Sequence, residues 1–174
     1  MVKIDIKSLL HVGDLRSAGK SAVVVEAVLE DPGLFGEVVD AMQVDHPAAR
    51  MRAADAVEKI SRLHPEWLRP YKRRFLNTLT KIDQKEVRWH LAQILPRLSL
   101  TKKERQAVFD LMMHYLDDDS RIVRTFAMQA LADLAVQDTD YAEEVTDLVT
   151  RLMRTGAASM QSRGRKLLAV LKRL

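Results

Sequence analysis

The sequence predicts an all-α fold: an α-α superhelix, or solenoid, of about four antiparallel helix pairs behind an N-terminal capping helix. Three observations carry this expectation. Apolar residues recur at helical spacing in segments set 37 residues apart, a second series of apolar stripes runs between those segments, and turn or capping residues stand at the junctions. Four stripes in register at one interval indicate an internal repeat, in which each copy covers the oily face of its neighbour. The expected organisation is a single domain, with a cap at 1–30 and repeats at 31–63, 64–100, 101–137 and 138–174.

Residues 16–30 read as an unpaired helix of the second type, and Asp31-Pro32-Gly33 closes it. The first helix of each pair, A, is expected over 34–42, 71–79, 108–116 and 145–153. Its columns read Leu34, Tyr71, Val108, Val145; then Val38, Phe75, Met112, Val149; then Ala41, Thr78, Tyr115, Leu152; then Met42, Leu79, Leu116, Met153. Thr78 is the single polar member. The second helix, B, carries Ala49, Ala53, Ala56, Val57 and Ile60, repeated as Val87, Leu91, Ile94, Leu95 and Leu98, and again as Val123, Ala127, Ala130, Leu131 and Leu134. A fourth copy is Leu167, Val170, Leu171 and Leu174. Thr101-x-x-Glu104 and Asp140-x-x-Glu143 are capping boxes for two A helices. Asp45-His46-Pro47 and Asp117-Asp118-Asp119-Ser120 supply turns and caps ahead of B helices. Pro70 suits a first helical turn, which leaves 64–69 as a separate turn, whereas Pro96 falls inside a helical pattern and kinks its last turn.

Composition narrows the function classes. The 174 residues are 47% hydrophobic and 30% charged, enough apolar surface for a real core. Without cysteine there is no disulfide and no thiolate metal site, and the five histidines never fall at the three- or four-residue spacing of helical zinc ligands. Neither a metal nor a cofactor is expected. No apolar run reaches 18 residues and MVKIDIKSLL lacks the apolar core of a signal peptide, so a cytoplasmic protein that does not span a membrane is expected. The net charge of +4 and pI near 9.4 permit nucleic-acid contact without demanding it. The stretch from Gly13 to Ser21 imitates a phosphate-binding loop, but five residues separate its glycines where that motif has four. No nucleophile, base and orienting acid assemble from the remaining residues, and a non-catalytic protein is expected.

A turn acid recurs with a B-helix arginine: Asp45 with Arg50, Asp83 with Arg88, Asp119 with Arg124. In this the repeats resemble HEAT repeats over residues 31–174. The resemblance implies that these arginines form a structural ladder between neighbouring repeats, and that the chain acts as an adaptor, as most HEAT arrays do. Related helical arrays include alkyl-base DNA glycosylases and phycobilin lyases. The fourth repeat departs, with Gly164 between Arg163 and Arg165 where one arginine is expected. Helical geometry agrees with the ladder, because Arg50, Arg88 and Arg124 fall about 75° from the stripe centre, on the flank that meets an adjacent repeat.

The B-helix face opposite the core reads Met51, Asp55, Glu58 and Arg62, then Trp89, Gln93 and Pro96, then Thr125, Gln129 and Ala132. In a solenoid this face floors a groove. Trp89 lies about 180° from its own apolar stripe, where a large stiff side chain with one donor suits a binding hot spot. The expected function is therefore a protein-binding adaptor or scaffold, with Trp89, Gln93, Met51, Gln129 and Arg62 holding a protein or peptide partner. Trp67 is expected to pack over a repeat junction instead. The alternative is nucleic-acid binding of the DNA-repair type through Arg73, Arg74, Lys102, Lys103, Arg163 and Arg165. Those residues belong to basic clusters that also include Arg97, Arg105 and Lys166, and an acidic patch of Asp138, Asp140, Glu143, Glu144 and Asp147 stands close by in sequence. Asp55 and Glu58 are the groove carboxylates a glycosylase would need, and nothing in the sequence marks either as catalytic.

Overall fold

The computed structural model describes residues 5–12 and 19–174, Thr155 by its backbone alone. The described residues are all-helical, without a strand. The helices are α1 (Ile6–His11), α2 (Ser21–Glu30), α3 (Phe35–Ala41), α4 (Pro47–Leu63), α5 (Lys72–Asn77), α6 (Lys85–Ile94), α7 (Lys102–Tyr115), α8 (Arg121–Gln137), α9 (Ala142–Thr155) and α10 (Ala158–Leu171). No helix among the described residues is long and apolar enough to cross a membrane. The chain divides into two compact units, Met1–Ser99 and Leu100–Leu174, parted at the junction of the second and third expected repeats.

In the first unit α4 is central, packing against α1, α2, α3 and α6. Its buried alanines, Ala48, Ala49, Ala53, Ala54 and Ala56, let those helices approach closely. The helix starts where Pro47 fixes the first turn and His46 Nδ1 accepts the Ala49 N–H at 3.1 Å, so the cap is His46 rather than Asp45. A separate turn does form after α4, but as a 3₁₀ helix Pro65–Tyr71 that takes in Pro70 as well, so that proline does not open the A helix and α5 begins at Lys72. α6 ends at Ile94, and around Pro96 the chain tightens into a 3₁₀ turn, Leu95–Arg97. The expected lone cap is not lone, since α1 packs against α2 as well as α3 and α4, and Ile6 and Leu10 are fully buried.

In the second unit α8 packs against α7, α9 and α10. The Thr101–Glu104 capping box forms at α7: Thr101 Oγ1 accepts the Glu104 N–H at 3.3 Å and Glu104 Oε2 the Thr101 N–H at 2.7 Å. The box expected at Asp140 does not form. Asp138 accepts the Asp140 N–H instead and caps a 3₁₀ turn, Thr139–Tyr141, which delays α9 to Ala142. At α10 the buried register is Met160, Gly164, Leu167 and Leu171, while Val170 and Leu174 are exposed. A side chain at Gly164 would run into Met153 of α9, so close packing of the last pair accounts for the glycine where an arginine was expected.

The apolar columns are placed as the repeat predicts in the first three B stripes, every member of which is at most 4% exposed. Val38, Phe75, Met112 and Val149 of the A helices are all fully buried.

Candidate functional site

Along the contact between α4 and α6 lies the densest group of buried polar side chains among the described residues. Glu58, 3% exposed, stands at the centre. Arg62, one turn on, donates to both its carboxylate oxygens at 2.8 and 2.7 Å, and Arg97 Nη2 reaches it at 2.6 Å. Arg97 Nη1 also donates to the Glu58 carbonyl at 2.7 Å and to Ser61 Oγ at 2.9 Å. The 3₁₀ turn around Pro96 is the element that carries Arg97 to this position, which supplies a physical reason for a proline inside a helical pattern. Burial pushes the Glu58 carboxyl up, but the hydrogen bonds from Arg62 and Arg97 outweigh it and hold the group below the usual carboxylate range.

A turn earlier, Asp55 accepts from Lys59 Nζ at 2.6 Å and from the hydroxyl of Ser21 on α2. His90 of α6 faces this group and is 8% exposed. Burial pushes its imidazole down to about 4, assisted by Lys59 and opposed by Asp55, Glu58 and Glu86. Its Nδ1 is buried with no hydrogen-bond partner among the described residues. Each carboxylate here already has a cation and the histidine is neutral, so the group works as a polar seam joining α4 to α6.

Trp89 adjoins the seam, its ring 5.5 Å from that of His90. It is half-buried, Gln93 Nε2 donates to its backbone carbonyl at 3.2 Å, and its indole N–H has no partner among the described residues. Gln93 is half-buried and Arg62 exposed. Met51 differs from the expectation: it is only 7% exposed, because α4 is enclosed by neighbours on more than its core side. Gln129 lies in the second unit, on α8. There the two other expected groove positions, Thr125 and Ala132, are buried, as is Pro96 in the first unit. Trp67 packs at the junction as expected, stacked on His64 at 4.2 Å and edge-on to Phe35 at 6.0 Å.

The ladder arginines divide. Arg50 Nε donates to Gln84 Oε1 at 2.8 Å and Gln84 Nε2 to the Pro47 carbonyl at 2.9 Å, so the tie between the first two pairs runs through an amide, with Asp45 only 3.9 Å from Arg50. Arg88 pairs with Asp83 at 2.6 Å as the motif implies. Asp119 and Arg124 form no ion pair among the described residues. Of the basic residues, Arg74 is bound by Asp40, Lys102 by Asp140 at 3.3 Å and Arg105 by Asp138 at 2.9 Å, so the acidic patch neutralises part of the basic one. Arg73, Lys103 and Arg165 are exposed, and Arg163 is half-buried against α8.

Glu58, His90 and Arg97 were not singled out as a group from sequence. The available signal was the separation of Glu58 and Arg97 by 39 residues, close to one repeat, with a proline just before the arginine. No group of three or more side chains suited to a metal ion occurs among the described residues. The glycine-spaced stretch 13–21 lies mostly outside the described residues. No protein-family model, curated protein or solved structure matches the chain.

Proposed function

We propose that the chain is a non-catalytic binding module built from HEAT-like helix pairs, a cytoplasmic adaptor whose B-helix face in the first unit takes up a segment of a protein partner. The observation that carries this reading is Trp89: a half-exposed indole beside a fully neutralised polar seam, with its N–H unengaged. A tryptophan held on a rigid helix gives a partner apolar area and one directional bond without further ordering cost. Gln93 and Arg62 supply polar contacts on the same two helices. The paired state of Glu58 supports binding over acid-base chemistry, since a carboxylate held ionised by arginines is a poor proton donor.

The test is affinity purification from the native cell with the wild-type chain and with Trp89→Ala, with nuclease added to a parallel sample. Loss of a hot-spot indole is expected to weaken the specific partner by at least about thirtyfold, with helical content unchanged. Unchanged recovery by the variant would remove the site. The nucleic-acid reading draws on Arg73, Lys103 and Arg165, which are exposed. It predicts partners lost on nuclease treatment and binding that weakens steeply with salt.

A further inference from the structure

In the second unit α8 and α10 border an open cleft of about 310 Å³ lined by Gln129, Ser159, Ser162, Arg163 and Lys166. The four α10 residues are spaced three, one and three apart, which sets two hydroxyls and two cations on one helical face. Arg163 is held in place before any ligand arrives. Its Nη1 donates to Gln129 Oε1 at 3.1 Å and its guanidinium lies 5.2 Å over the ring of Phe126. Gln129 is itself oriented, because its Nε2 donates to Asp133 Oδ1 at 2.8 Å and so turns its oxygen toward the arginine. Ser159 is fixed by a 3.3 Å contact with Thr125 Oγ1.

The charges of this cleft, unlike those of the α4–α6 seam, are not compensated. Neither Arg163 nor Lys166 has an ion-pair partner among the described residues, and residues 156–174 contain no acid at all. Two cations and the hydroxyl of Ser162, whose proton no contact within the described residues takes up, face one small space and match a compact dianion, while the Ser159 hydroxyl donates to Thr125 Oγ1. A phosphate monoester carries a charge of about −1.5 to −2 near neutral pH and offers three acceptor oxygens to such donors. Arg165 and Lys172 lie about 200° and 180° around the helix from Arg163, and Arg173, which returns to within about 20° of Lys166, stands past the end of α10 and outside the cleft lining. A nucleic-acid backbone needs a track of cations, and the cleft provides a single station.

We propose that the cleft receives the phosphate monoester of a phosphorylated serine or threonine in a protein partner. The phosphate chemistry stands on the cleft alone, and the protein source rests on the binding-module reading above.

The full-length chain is titrated with inorganic phosphate while backbone amide shifts are followed, with sodium chloride at matched ionic strength as control. Shifts confined to Ser159, Ser162, Arg163 and Lys166 are expected with phosphate only; their absence overturns the site. Fluorescence anisotropy then compares a degenerate peptide library with a fixed central phosphoserine, the same library unphosphorylated, and a single-stranded oligonucleotide. The phosphorylated library is expected to bind, inorganic phosphate to compete with it, and Arg163→Gln to weaken it at least tenfold. Lys166→Gln, which removes no hydrogen bond or ion pair among the described residues, is expected to act in the same direction and covers the case in which Arg163→Gln loosens α10. Equal binding of both libraries, a preference for the oligonucleotide, or wild-type affinity in Lys166→Gln would each overturn the proposal. Trp89→Ala is expected to leave phosphate binding intact, so failure of the first-unit site and failure of this one are read separately.

Discussion

Protonating His90 would set a positive charge in a nearly water-free position, with Asp55, Glu58 and Lys59 of α4 and Glu86 of its own helix as the charged groups around it. The folded state holds the imidazole at about 4 against an ordinary value of 6.5. The unfolded chain therefore takes up a proton at higher pH than the native one does, and stability falls as pH drops from about 6.5 toward 4, by up to about 3 kcal/mol. Below that window both states are protonated at this site and its contribution to the pH dependence ends. Urea melts at pH 7 and pH 5 are expected to show this loss in the wild type and a much smaller one in His90→Gln. Equal acid sensitivity in the two proteins would assign the effect to another group. This residue was hard to read from sequence because its burial depends on α4 and α6 meeting face to face. Trp89 was legible, since 100° of rotation per residue suffices to set it off the core stripe. Met51 misled for a related reason: a helical wheel assumes one buried side, whereas four helices enclose α4.

Between α4 and the end of α6 the joint is a buried ion pair rather than an apolar contact. Glu58 is 4% exposed by side chain and Arg97 23%, so water does little to screen them. Such a pair adds little over a well-packed apolar one, and without Arg97 the buried Glu58 carboxylate keeps only the exposed Arg62. Arg97→Met is expected to destabilise the first unit by about 2 kcal/mol, the loss of charge-assisted hydrogen bonds to Glu58 and Ser61, whereas Glu58→Gln together with Arg97→Met recovers part of that loss. A double-mutant cycle by urea denaturation checks this, and additive losses would show that Arg97 acts through its stem alone. Sequence periodicity located this element but assigned Pro96 only a kink. The consequence of the kink, the delivery of a cation to a carboxylate one repeat earlier, depends on a 3₁₀ turn whose aim no one-dimensional pattern carries. At α9 the same limit applied, because Asp138 and Asp140 both suit an N-cap and the 3₁₀ turn decides for Asp138.

At the scale of the whole chain, a 37-residue period made the helices and most of their core legible, but a period is blind to where packing is dense and where it thins. The division after Ser99 is such a feature. Each unit has its own buried centre, α4 in one and α8 in the other, and units that are each compact need not melt together. The two tryptophans, Trp67 and Trp89, both lie in the first unit, so their fluorescence reports on it alone, while far-ultraviolet circular dichroism reports on both. The second unit is the smaller, and a smaller unit has proportionally less interior to hide, so it is expected to melt first. In urea the circular dichroism is expected to fall in two steps, the earlier of them silent in tryptophan fluorescence. Variants then assign the steps: Arg97→Met moves only the fluorescent transition, and Thr101→Ala, which removes the α7 cap at a cost of about 1 kcal/mol, moves only the silent one. Superimposed curves that shift together in both variants would mean that the units unfold as one, and that the repeat pattern outweighs the division of contacts between them.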